Sequence, residues 1–373
     1  MRTPICDRFG IEYPIVAFTP SEHVAAAVSR AGGLGVLGCV RFNDADELDR
    51  VLDWMDETTD GRPYGVDIVM PNKVPTEGTA ADLSSYIPEE HRAFVERTLT
   101  ELGVPELPAG DDGAAGVLGW LHSVARAHVE VALSHRISLV ANALGSPPQD
   151  VIAAAHDRGV QVAALAGRAT HARAHVEGGV DIVVAQGYEA GGHTGEIASM
   201  VLLPEVVDTV GSDAAVLAAG GIGSGRQIAA ALALGAQGVW MGSYWLATTE
   251  YLQTHANSAT MQQALVAATS ADTVRTRIYS GKPARLLRTR WTDAWAQPGA
   301  PAPLPMPLQN ILVGEAHRRI HASHDPSVVA MPVGQIVGRM NSVRSVAEIM
   351  AELVSGFDEA ADRVQAARVQ PAR

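Results

Sequence analysis

Residues Ala218-Ala219-Gly220-Gly221-Ile222-Gly223-Ser224-Gly225-Arg226 run directly into a helical pattern at 227–234. Clustered glycines let backbone N–H groups approach a ligand closely, and a helix N-terminus favours an anion, so this stretch predicts a phosphate cradle. Taken alone, the same glycines have a second reading, as residues of tight turns only. The next apolar run contains Trp240-Met241-Gly242-Ser243, whose loop can close on the same phosphate from the other side. A second group is Gln186-Gly187-Tyr188-Glu189-Ala190-Gly191-Gly192-His193-Thr194-Gly195-Glu196. A histidine set among glycines is suited to proton transfer near neutral pH and to close approach by a flat cofactor. A lone histidine is more often a structural residue, so its position in the fold has to decide.

That position follows from the elements on either side. Short β-rich runs at 14–19, 33–40, 64–70, 137–144, 160–166, 180–186, 214–219 and 238–246 alternate with helical patterns. The runs are continuously apolar, as parallel strands covered on both faces are. Helical patterns at 25–30, 149–158, 170–177 and 227–234 end at glycines, and Thr19-Pro20-Ser21-Glu22 offers the first an N-cap, a proline and a capping-box Glu. Eight such units predict an α/β fold, a (β/α)8 TIM barrel, in which the glycine cradle follows the seventh strand and His193 follows the sixth, both at the catalytic end.

Two regions break the rhythm. Residues of about 72–130 are too long for a crossover, with helical stretches at 89–102 and 117–133 joined by a loop at 105–113, and predict an inserted lid region. Residues 251–373 carry helical patterns at 260–268 and 343–367 around a proline-rich stretch at 297–307, and predict a helical cap packed on a barrel spanning 1–250.

Composition narrows the partners. A net charge of −13 spread over 373 residues, with no basic stripe, gives no footprint for nucleic acid. No run reaches the roughly 20 apolar residues of a membrane helix. Two cysteines, Cys6 and Cys39, and a start without a long apolar core predict a reduced, cytoplasmic protein. Cys39 lacks a basic partner and reads as a buried hydrophobe rather than a nucleophile. His171 and His175 lack the acidic residue of a zincin motif, so no metal is expected. His23 and Lys73 follow strands and would face the catalytic end, although each reads equally well as a solvated loop residue. No interface stripe is visible, and monomer and homodimer both stay open.

Residues 186–193 resemble the AQGxEAGGHxG signature of nitronate monooxygenases, and 218–225 with 229–242 resemble that family's AAGGIxDGRxxAAALALGAxGVxMGT stretch. Residues 25–35 are similar to its first helix and second strand, so the resemblance covers about residues 10–250 apart from the insertion. It implies FMN as cofactor, held by Gln186, Gly191, Gly220, Gly221, Gly223, Met241, Gly242 and Ser243, with His193 as catalytic acid/base beside the ring. It implies oxidation of alkyl nitronates or nitroalkanes by dioxygen to a carbonyl compound and nitrite. Flavin-dependent enoyl-thioester reductases and NADH:quinone reductases share the barrel, FMN and the histidine motif, so an NAD(P)H-dependent reductase is the alternative. A flavin- or sugar-phosphate-binding barrel without turnover is a third reading.

The chain departs from the family in three places. Phe18 and its neighbours replace the usual residues after the first strand. Gly65-Val66-Asp67 stands where relatives have Gly-Val-Asn; Asp67 would hold or tune the flavin, or turn away from it. Ser224 replaces an acidic residue in the phosphate loop. Ser280-Gly281-Lys282-Pro283-Ala284-Arg285 and Gly334-Gln335 resemble family segments that return to the site, the former with cations for an anionic substrate or a phosphate, or simply for surface pairs.

Overall fold

The computed structural model describes residues 1–70, 83–107 and 122–367. Eight parallel strands close a barrel: β1 (Ile15–Thr19), β2 (Leu34–Gly38), β3 (Tyr64–Asp67), β4 (Leu139–Asn142), β5 (Gln161–Ala166), β6 (Ile182–Gln186), β8 (Ala215–Ala219) and β9 (Gly238–Met241), with β9 pairing back onto β1. Every residue of β2, β3, β4, β8 and β9 is buried, which explains the continuously apolar runs. Inward side chains such as Val16, Val36, Val184 and Leu217 fill the barrel, and the short helix α1 (Pro4–Phe9) adds Ile5, Cys6 and Phe9 to the same cluster.

Helices α2 (Glu22–Arg30), α3 (Ala45–Thr58), α5 (His122–Ala132), α6 (Gln149–His156), α7 (Ala169–Glu177), α8 (Ser199–Val210) and α9 (Gly225–Ala233) occupy the crossovers. The cap of α2 differs from the expected one. Ser21 is the N-cap and accepts from the Val24 N–H, while the Thr19 hydroxyl accepts from the Ser21 N–H, because β1 runs on through Thr19. The third and eighth strands also stop earlier than their apolar runs, the latter because residues Ser243–Ala247 wind into a 3-10 turn.

Helix α4 (Glu89–Leu102), from the insertion, does not pack on the barrel. Its Phe94, Val95 and Leu99 share a core with Trp291 and Trp295 of α11 (Arg290–Trp295) and with Leu312, Val313 and Ile320 of α12 (Leu308–Ala322). The buried Arg319 locks this layer by pairing with Glu96 at 2.8 Å and donating to the Pro105 carbonyl at 3.1 Å. Insertion and C-terminal segment are therefore one layer over the barrel. The rest of the expected lid, 72–82 and 108–121 with Lys73, lies outside the described residues.

Three features of the C-terminal segment were not expected. The helix α12 follows the proline-rich stretch. Strands β10 (Thr273–Thr276) and β11 (Ala284–Leu287) form an antiparallel hairpin, and β11 pairs with the two-residue strand β7 (Gly192–His193). Helices α10 (Ser258–Ala267) and α13 (Val346–Ala366) match the periodic patterns, α13 starting at a Ser345–Glu348 capping box.

Candidate active site

The C-terminal ends of the strands open into a cavity of about 770 Å³. His193, Asp67, Gln186, Gly191, Gly220, Gly221, Met241, Gly242 and Ser243 all line it. Phe18, at the end of β1, stacks on Trp240 at 6.1 Å and closes one wall.

The cradle is built at the β8–α9 junction. Gly220 and Gly221 have φ of +98° and +70°, left-handed values that side chains rarely adopt. A Cβ on Gly220 would also stand 3.2 Å from the Ala190 N and the Gly187 O. Ser224 caps α9, its hydroxyl accepting from the Gln227 N–H, so the missing acidic residue costs the helix no cap. Gly223 is not part of the cavity wall. Its N–H donates to Gln227 Oε1 at 3.0 Å, and its α-carbon faces Ile336 and Tyr244, so it serves packing where a ligand contact was expected. Across the cradle, the Ser243 hydroxyl accepts from the Gly334 N–H at 2.9 Å, leaving its own proton to donate, and Gly334 lines the cavity as its motif suggested.

His193 is held by the hairpin. Ala284 pairs with His193 and Arg285 with Gly192, and Nε2 of His193 shares a 2.6 Å hydrogen bond with Ser280 Oγ. Burial, and then the charge of Lys282, push its pKa down to about 4. At neutral pH it is an uncharged imidazole able to accept a proton. Arg285, singled out as a cation for an anion, does something else: it is buried, donates to the Tyr188 carbonyl and to Thr273 Oγ1, and stacks on the Tyr188 ring. Arg275 donates to the Thr194 carbonyl at 3.2 Å. These two arginines clamp the loop before and after His193. Ser280 and Arg285 lay in a segment the sequence had marked, but their tie to His193 could not be read from it; Arg275 carried no signal.

Asp67 ends β3 with its carboxyl at the cavity, 3% exposed. Burial pushes its pKa up to about 7. Cys39 is buried beside it, and burial and the Asp67 charge push the thiol well above its ordinary range, which suits a buried hydrophobe and no nucleophile. His175 bonds Ser146 Oγ and the Leu165 carbonyl, and His23 packs edge-on against Trp54 away from the cavity. No cluster of His, Cys, Asp or Glu among the described residues could hold a metal ion, and none of their helices is long and apolar enough to cross a membrane.

A closed parallel barrel with a glycine cradle after its seventh strand and a half-buried histidine after its sixth defines a (β/α)8 barrel whose cavity lies at the C-terminal face. The nitronate monooxygenase family model matches residues 2–356, and the chain belongs to that family. It is 47% identical to the Mycobacterium tuberculosis protein named "Putative monooxygenase Rv1533", over 98% of this chain and 99% of that one. Among solved structures, nitroalkane oxidase from Streptomyces ansochromogenes is similar with 29% identity and a TM-score of 0.78, covering 96% of this chain and 99% of that one. FabK from Thermotoga maritima is similar with 27% identity and a TM-score of 0.73, covering 98% and 99%.

Proposed function

We propose that this protein binds FMN in the cavity and oxidises alkyl nitronates, or their parent nitroalkanes, with dioxygen to a carbonyl compound and nitrite. The described residues fit that cofactor. Gly220 and Gly221 hold left-handed backbone that a side chain would strain, the volume falls within the roughly 300–1,000 Å³ usual for such sites, and the buried Asp67 carboxyl has no partner among the described residues. Gly220, Gly221, Gly242 and Ser243 would hold the phosphate end, and Gln186, Gly191, Met241 and Asp67 the ring. Bound FMN supplies the electron-accepting chemistry.

The observation that carries the reading is His193, an uncharged imidazole at the cavity wall, fixed by Ser280. As general base it takes the α-proton of a neutral nitroalkane onto a ring nitrogen, while the apolar walls of Phe18, Trp240 and Met241 exclude water from the exchange. A nitronate, already deprotonated, needs no such step. Replacing His193 with Asn therefore suppresses turnover of the nitroalkane far more than that of the nitronate.

The motif around His193, shared with flavin-dependent reductases, favours a second reading, an NAD(P)H-dependent flavin reductase acting on enoyl thioesters or quinones. Anaerobic mixing of the holoprotein with propionate 3-nitronate, NADH or NADPH separates the two. Rapid loss of flavin absorbance with the nitronate alone supports the first reading, and rapid loss with the pyridine nucleotide supports the second.

A further inference from the structure

Asp67 is the end residue of β3, and its carboxyl reaches the cavity from a site that is 3% exposed. No hydrogen bond or ion pair to that carboxyl exists among the described residues, and burial alone accounts for its altered proton affinity. A buried anion without a protein donor is costly, so a proton of its own or a donor brought by a ligand favours the carboxyl.

Among the described residues, the neighbours make their recorded bonds elsewhere. Asn142 of the adjacent strand spends its amide on backbone, Oδ1 accepting from the Met70 and Leu144 N–H groups and Nδ2 donating to the Met70 carbonyl. On the other side β2 leads to Cys39, whose thiol stays neutral and makes its own bond to the Leu37 carbonyl, and then to Arg41, which is paired with Glu22 at 2.6 Å. Tyr64, at the far end of β3, is bonded to Asp56. Across the cavity stands His193, uncharged at neutral pH and bonded to Ser280.

We propose that protonated Asp67 grips the imide edge of FMN at two points, its O–H donating to a ring carbonyl and its C=O accepting from the ring N–H. The inference rests on the FMN reading above and extends it to a pH-dependent hold on the cofactor. An imide edge presents a donor beside acceptors, and a carboxylic acid presents the matching donor and acceptor; a carboxylate offers acceptors only and would face the ring carbonyl lone pair to lone pair. An amide at this position would make the same two contacts at any pH. With Asp67 titrating at about 7, its hold weakens within the neutral range.

The test is FMN binding to the apoprotein, read by quenching of flavin fluorescence from about pH 6 to about pH 9, for the wild type and for Asp67→Asn. The wild-type Kd is expected to rise by up to about tenfold per pH unit above pH ~7, and the Kd of Asp67→Asn to stay level there. Titration of the FMN phosphate, with a second pKa of about 6, affects both proteins alike and cancels in the comparison. A wild-type Kd that stays level overturns the proposal without any variant, as does an equal slope in Asp67→Asn. Failure to bind FMN at every pH overturns both this proposal and the FMN reading, whereas binding that ignores pH overturns this one alone.

Discussion

The Arg285 guanidinium lies 4.5 Å from the centre of the Tyr188 ring and donates through both Nε and Nη2 to the Tyr188 carbonyl, from 97 residues away in sequence. The contact fixes the loop that ends in His193, because Arg285 and its neighbour Ala284 are also the strand partners of Gly192 and His193. Replacing Arg285 with Met removes a charged, buried donor pair, a loss of roughly 1.5–3 kcal/mol in stability. The expected outcome in a thermal scan is a fall of several degrees, together with a drop in nitroalkane kcat while FMN content is kept. Arg285→Lys restores little, since an ammonium cannot reproduce the planar fork. An unchanged kcat in a folded Arg285→Met protein removes the arginine from any part in positioning His193.

The pH profile of nitroalkane turnover tests the state of His193. Its native pKa of about 4 lies below the unfolded 6.5, so the base form persists on acidification and the acid limb of kcat/KM falls near 4. Lys282→Met removes a repelling cation, and the limb then moves upward. His193→Asn loses on the order of 10²–10⁴-fold in nitroalkane kcat with FMN retained. A wild-type limb at 6.5 shows that the imidazole is solvated during turnover.

The cradle helix is locked from outside. A Cβ on Gly225, at the start of α9, would overlap the backbone of Gly356 and Phe357 in α13. Gly225→Ala therefore destabilises by about 1–3 kcal/mol through overpacking and weakens FMN binding with it. A Cβ on Gly356 meets nothing nearer than Gly225 at 3.6 Å, and Gly356→Ala gains helix propensity, so that variant is neutral or more stable. Thermal scans of the two purified variants decide; equal losses contradict the one-sided contact.

His135 ties α3 to the chain after α5 by bonds to Asp56 at 2.9 Å and Asp49 at 3.0 Å. Burial opposes its charge, but the two carboxylates outweigh burial and raise its pKa above 6.5. A raised histidine contributes stability in full below its unfolded pKa, and the contribution is lost as pH rises through the native value. Urea unfolding of wild type and His135→Gln at about pH 6 and about pH 8 should show a larger gap at the lower pH. A gap that widens toward pH 8 reverses the sign and excludes the ionic role.

Much of this arrangement was legible in the chain. The eight apolar runs, the glycine-terminated helices and the motifs around His193 and Gly220 are local patterns with their own periods, and local patterns survive in one dimension. Asp67 stood out because its residue type broke a motif. Contacts between distant segments left no such trace. Strand β7 is two residues long, too short to show alternation, and its partner β11 lies about ninety residues on, so their pairing exists only once the chain has folded. The diversion of Gly223 depends on Gln227 and Ile336, and the shared core of α4, α11 and α12 depends on which apolar faces meet. The sequence by itself determined the barrel, its catalytic end and the residue types brought there. Only the tertiary structure decided that His193 and Asp67 are desolvated, because burial is a property of the assembled neighbours and it sets which group carries a proton at neutral pH.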